Sequence, residues 1–387
     1  MLKLYSSVVS LSSANALLKV VSAIVIAGIL TVEGYAEYYF FILLHQATLA
    51  FKEYGYNEFY LKEKKYTARN EKAVNTIELI RISCCYIFLL TFFKLEESEI
   101  IVLVVIYISD IFQPKSVVKL LRNKKNDILF KVEFIASIGM VCCFLFLDFA
   151  DVDQKLFAYS FYHVIRTYML RKILRLKYAA TITKGDLNFL SDGKWVFFSA
   201  LVFLALTRLD KILIQPYISI SDLGGFLFIS NVFNMSFQVV VKSIKPIIDR
   251  QIAITNAAFP KIYLIYSAMV LLVAILFASL SEDMLSFVFN DKWQSYYWII
   301  NYAVLIGLFN NLKIWGLFYS KGLFRYRFWV DSSQFIFFAL GLSILLLLGD
   351  FTLMSLLNIQ LGAGLLSFLI WIYFSCHVYD YSLNNDI

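Results

Sequence analysis

Residues 328–348, FWVDSSQFIFFALGLSILLLL, and residues 353–376, LMSLLNIQLGAGLLSFLIWIYFSC, decide the fold. Each is a nearly continuous apolar run close to the ~20 residues a helix needs to cross the hydrocarbon of a bilayer. Only Gly349-Asp350-Phe351-Thr352 separates them, so a chain that crosses must return at once. A closed barrel would show short alternating segments instead, and these runs do not alternate. Membrane-spanning helices are therefore the predicted element.

Working outward, similar runs recur at 8–31, 36–56, 74–94, 99–118, 130–149, 156–176, 195–217, 223–245, 261–281 and 296–316. The 387 residues are 60% hydrophobic and 16% charged, with a mean hydropathy of +0.71, more apolar surface than a water-soluble core could hide. The predicted fold class is an all-α polytopic membrane protein of about 12 transmembrane helices. The first run carries Asn15 and Lys19 with no small-residue cleavage site after it, so it reads as a retained span. Cys84, Cys85, Cys142, Cys143 and Cys376 fall inside apolar runs with no CxxC or Cys/His spacing, so they read as packing residues. No metal and no cofactor is expected.

The net charge of +7 would suggest nucleic acid in a soluble protein, but here it reports orientation. With the amino terminus inside, almost all Lys and Arg fall on cytoplasmic segments. The opposite loops hold only Lys94, Lys155 and Lys292, among acids such as Glu33, Glu96, Glu97, Glu282 and Asp283. Both termini are thus expected in the cytoplasm. The outer loops are short, the largest running from about 282 to 295. The longest inner loop, 177–194, falls at the midpoint, predicting an amino-terminal six-helix bundle at 1–190 and a carboxy-terminal one at 191–387. Gly28-Ile-Leu-Thr-Val-Glu33-Gly34-Tyr35 and Gln215-Pro-Tyr-Ile-Ser-Ile-Ser-Asp222-Leu-Gly224-Gly225-Phe226 occupy matching places in the two halves, as in a parallel repeat.

Charges inside the spans carry the functional signal, because one at the bilayer centre costs roughly 2.5–3.5 kcal/mol even on the mildest scale. Lys52 and Lys115 lie near helix ends and can snorkel; Lys313 is intermediate. Lys19, Arg81, Arg166, Arg208 and Lys211 lie deeper. Several sit on polar stripes at helical spacing: Asn15, Lys19 and Ser22; Tyr159, His163 and Arg166; and Asn231, Asn234, Gln238, Lys242 and Lys245. Local pairs such as Glu78 with Arg81, or Asp210 with Arg208 or Lys211, would account for any one of them. As a set, the deep cations outnumber the deep acids Glu78, Asp110 and Asp210, which leaves a positive field suited to an anionic substrate. Pro114, beside Asp110, kinks its span or frees carbonyls there. His163 reads as the one mid-membrane histidine, satisfied locally or passing protons. Aromatic runs such as Tyr38-Tyr39-Phe40-Phe41 read as interfacial belts. No P-loop, HExxH, nucleophile elbow or dinucleotide fingerprint is present, which leaves a secondary transporter and not an enzyme.

Three segments carry a family resemblance: Val32-Glu33-Gly34-Tyr35-Ala36-Glu37-Tyr38; Thr207-Arg208-Leu209-Asp210-Lys211-Ile212-Leu213-Ile214 with Ser221-Asp222-Leu223-Gly224; and Phe289-Asn290-Asp291-Lys292-Trp293. In these the chain resembles the O-antigen and other lipid-linked oligosaccharide flippases of bacterial polysaccharide synthesis. They belong to the multidrug, oligosaccharidyl-lipid and polysaccharide exporter superfamily. The chain carries Leu223-Gly224-Gly225-Phe226 where the family pattern has a glycine followed directly by an aromatic.

The resemblance implies two six-helix bundles around a central cavity of alternating access, in the bacterial cytoplasmic (inner) membrane. Through it an undecaprenyl-diphosphate-linked repeat unit would move to the outer leaflet for O-antigen or capsule synthesis. The expected substrate-binding residues are Lys19, Arg81, Arg166, Arg208, Lys211 and Lys313, and Glu78, Asp110 and Asp210 are ion-coupling or ion-pair sites. Expected partners are the lipid-linked sugar, membrane lipid, and the polymerase and chain-length proteins of the same pathway, with no nucleic acid. Two alternatives stay open. One is a membrane-embedded polymerase or ligase, which would carry a large outer loop; the other is a small-molecule antiporter, which would favour an acidic cavity.

Overall fold

A computed structural model describes residues 17–53, 68–93, 95–112, 126–146, 152–174, 198–199, 201–202, 205–206, 210–233, 237, 248, 259–315, 318, 323–349 and 351–385. Among the described residues all regular structure is helical. In the first half these are α1 (Leu17–Ile29), α2 (Val32–Glu53), α3 (Ala68–Phe92), α4 (Glu97–Phe112), α5 (Asn126–Phe146) and α6 (Val152–Leu174). After a helical turn at Asp210–Ile214 come α7 (Ile220–Phe233), α8 (Phe259–Phe289), α9 (Ile299–Leu312), α10 (Phe324–Leu348) and α11 (Leu353–Asn385).

Local chemistry sets several of these boundaries. Thr31 Oγ1 accepts from the Gly34 N–H at 3.1 Å, Ser219 Oγ from the Asp222 N–H at 3.0 Å, and Thr352 Oγ1 from the Ser355 N–H at 3.1 Å. Each satisfies an orphan donor at the start of α2, α7 or α11, worth ~1 kcal/mol apiece. The tight return between residues 348 and 353 rests on Gly349, whose φ of 72° ends α10 in a left-handed conformation that a side chain would resist.

Among the described residues, three helices contain segments long and apolar enough to cross a membrane: Phe259–Ser279, Arg325–Leu348 and Leu353–Tyr379. Their outward faces carry large apolar side chains, among them Leu264, Leu272, Ile275, Leu340 and Leu347, as lipid contact requires. The expected outer loop at 282–295 is helical instead: α8 continues to Phe289 and a 3₁₀ segment, Asn290–Tyr296, follows. Residues 282–289 contain no Gly or Pro, so the loss of hydropathy at Glu282 and Asp283 moves the chain out of the apolar layer without breaking the helix. Likewise α11 runs on past residue 376 to Asn385.

Contacts divide the chain into two compact units. Unit 1 is Met1–Leu18 with Glu37–Ile212; unit 2 is Lys19–Ala36 with Leu213–Ile387. In unit 1, α6 packs on α4 and α5, and α3 on α4. In unit 2, α10 packs on α11, α8 on α9, and α9 on α11. The α10–α11 pair is close because Gly341 meets Ile359, where an added Cβ would stand 2.7 Å from Cγ2.

Candidate functional site

One face of α6 builds the interior of unit 1. Lys155, Tyr159, His163 and Thr167 recur every four residues and all are buried. Lys155 was expected in an outer loop; it is only 1% exposed, because α6 begins at Val152 and the residue falls on its inward face. Against this face stands His45 of α2. Its Nδ1 lies 2.9 Å from the Tyr159 hydroxyl and its Nε2 3.2 Å from Asp110 Oδ2 on α4. The Tyr86 hydroxyl of α3 donates to the same carboxylate oxygen at 3.3 Å. The His163 ring lies edge-on to His45, with centroids 4.7 Å apart. His163 is therefore not the sole interior histidine: His45, at 0% exposure, is its neighbour, and its role was not legible because its partners are 65 and 114 residues away.

Arg166, one turn beyond His163, donates to Glu133 of α5 at 2.9 Å. Glu133 is an interior acid that hydropathy alone did not single out. Arg81 is half-buried on α3, Glu78 lies on the same helix with its side chain outside the described residues, and Lys211 is buried in the turn at Asp210–Ile214. The Asp210 side chain, Arg208 and Pro114 lie outside the described residues.

Unit 2 buries a cation. Lys313 follows α9 where the backbone leaves helical geometry, with φ −73° and ψ 111°. Helix-end carbonyls released there are taken up: Tyr266 donates to the Asn311 carbonyl at 2.7 Å and the Trp371 indole to that of Ile314 at 3.0 Å. Lys313 Nζ donates to Gln334 Oε1 of α10 and to Ser367 Oγ of α11, each at 3.0 Å, and Ser367 also donates to Gln334 at 3.1 Å. One turn before Gln334, Asp331 is buried and meets Arg327 at 3.5 Å; the Arg327 guanidinium lies over Trp315 at 5.5 Å. Asp331 is a second interior acid that the sequence reading passed over.

Three quoted motifs meet elsewhere in unit 2. The Ser221 hydroxyl donates to Glu33, which holds that carboxyl below its ordinary range. An added Cβ at Gly224 would lie 2.3 Å from the Val32 carbonyl oxygen, and at Gly225 2.3 Å from the Tyr296 ring. The paired glycine that departs from the family pattern thus has a packing reason at both positions. Tyr35, Phe228 and Trp293 form an aromatic cluster with centroids 4.3 to 5.5 Å apart. Lys292, read as a loop cation, donates instead to the carbonyls of Ala27, at 2.7 Å, and of Leu30, closing the end of α1; burial lowers its pKa.

The polar stripes fare differently. Lys19 is exposed on α1 while Ser22 is buried, so these two do not share one environment; Asn15 is outside the described residues. Of the longest stripe, Asn231 is buried on α7, and Asn234, Gln238, Lys242 and Lys245 are outside the described residues.

Apolar helices that keep histidine, carboxylate and lysine inside define a polytopic membrane protein with a polar interior. No protein-family model and no curated protein matches the chain. Solved structures do match. The lipid II flippase MurJ, in an inward closed conformation, superposes with a TM-score of 0.64 at 15% identity, over 93% of this chain and 85% of that one. An inward-facing multidrug resistance MATE family transporter of the MOP superfamily gives 0.57 at 12% identity, over 100% and 96%. A MATE structure in complex with MaL6 gives 0.59 at 11% identity, over 98% and 96%. The fold is therefore the one shared by MurJ and the MATE transporters.

Proposed function

We propose that this protein is a flippase that moves an undecaprenyl-diphosphate-linked oligosaccharide to the outer leaflet for surface polysaccharide synthesis. The observation that carries the reading is the burial of Lys211 and Lys313 on a fold shared with a lipid II flippase. A plain anchor gains nothing from interior lysines, and a diphosphate offers them a divalent counter-charge. Arg208, Arg81, Arg166 and Lys19 belong to the same proposed anion site, Arg166 with part of its charge answered by Glu133. The proposal includes six-helix bundles at 1–190 and 191–387 as moving parts, twelve crossings, both termini in the cytoplasm, the bacterial inner membrane as location, and polymerase and chain-length proteins as partners.

The test is the double variant Arg208→Ala with Lys211→Ala, expressed to normal abundance in a strain lacking the native gene. Surface polymer is expected to vanish; normal polymer overturns the assignment. A small-molecule antiporter is the second reading, favoured by the buried Asp110 and by the MATE likeness. It requires drug resistance, not polymer, to depend on Asp110, with that carboxylate as the coupling group; Glu78 and Asp210 are the further coupling candidates.

A further inference from the structure

The three buried side chains His45, Asp110 and His163 come from three helices, and one donor atom from each lies within 4.8 Å of the other two. We propose that they form a site for one divalent transition-metal ion of the zinc or cobalt class, whatever substrate the protein carries. The donor chemistry selects that class: two imidazoles with one carboxylate suit borderline metals, whereas calcium and magnesium ask for oxygen shells.

The geometry is close to what ligation needs. With ligand bonds of ~2.0–2.2 Å, tetrahedral donors stand roughly 3.4 Å apart. His45 Nε2 and Asp110 Oδ2 are already 3.2 Å apart, and an ion between them takes the place of their hydrogen bond, the neutral imidazole then carrying its one proton on Nδ1. The three donors all lie within 4.8 Å of one another, so ligation asks His163 to close a gap of at most about 1.4 Å, a movement on the scale of side-chain rotation. The support that fixes a ligating imidazole is also present: in the tautomer that leaves Nε2 for the metal, His45 Nδ1–H donates a hydrogen bond to the Tyr159 hydroxyl oxygen. The Tyr86 hydroxyl, donating to Asp110, orients the carboxylate. Three protein donors leave a coordination position for water.

Placement on packed helices favours a preformed site over a fortuitous cluster. Because α2, α4 and α6 each supply a ligand, an ion ties together three helices, two of whose ligands, His45 and Asp110, are 65 residues apart in the chain.

The experiment uses the full chain, purified in detergent, stripped with a chelator and titrated with cobalt(II) alone. The expected result is one ion per chain, visible ligand-field absorption of tetrahedral nitrogen and oxygen ligation, displacement by zinc(II), and a rise in Tm. His45→Gln, Asp110→Asn and His163→Gln should each weaken binding at least ~10-fold. The Cys85→Ser, Cys142→Ser double variant should bind as the natural protein does. Absence of stoichiometric cobalt binding by the natural sequence overturns the proposal, as does binding that persists in the His163→Gln, Asp110→Asn double variant. The first of these needs no variant to fold. Because cobalt binding is read without transport, its failure leaves the flippase reading standing, and loss of the flippase reading leaves the metal site standing.

Discussion

Unit 1 buries Asp110 against an imidazole and a phenol, while unit 2 buries Lys313 against an amide and a hydroxyl. The acid has partners that can themselves carry or pass a proton. Two of the lysine's partners, Gln334 and Ser367, stay neutral and hold each other, Ser367 donating to Gln334. Both arrangements satisfy the rule that interior polar groups are hydrogen-bonded, yet they answer different questions. A group that must change charge needs titratable neighbours, whereas one that must offer constant charge to an anion is best supported by neighbours that do not neutralise it.

The largest effect that would break this contrast is at the acid. Asp110→Leu removes the acceptor of both His45 and Tyr86 in a buried setting, and a loss of ~3 kcal/mol is expected, read as a lower Tm of the detergent-solubilised protein. Lys313→Met is the sharper half: Gln334 and Ser367 keep their mutual bond, so a loss of only ~1 kcal/mol is expected, with transport abolished. An equal Tm drop for the two variants would erase the distinction.

The smallest effect is at Glu33. Its lowered pKa, owed first to the Ser221 hydroxyl, means the folded state holds the carboxylate better than the unfolded chain does. The stabilisation is therefore present above the ordinary carboxylate range and fades as pH falls through the lowered value. Because Glu33 is exposed, the shift should be slight, and Ser221→Ala should remove it from a Tm-against-pH curve.

Much of the scaffold was legible because hydropathy and helix signals are local. The expected span at 353–376 opens where α11 opens, at Leu353, because Thr352 caps it, and Gly349 sets the preceding turn. The same locality misled at 282–295, where polarity suggested a loop and the backbone stays helical for want of a breaker. Stripes were half legible: spacing placed Tyr159 and His163 on one buried face, but it could not extend that face back to Lys155 because the start of α6 lies four residues earlier than hydropathy indicates.

What the amino-acid sequence determined by itself is a helical membrane protein with charges where a bilayer resists them, since apolar length and residue type are properties of single segments. Which charge meets which was decided only by tertiary structure. Arg166 finds Glu133 at a separation of 33 residues, Lys313 finds Ser367 at 54, and His45 finds Asp110 at 65. A partner on another helix leaves no trace in local spacing, because it is helix packing, and not sequence distance, that brings the two groups within hydrogen-bond reach.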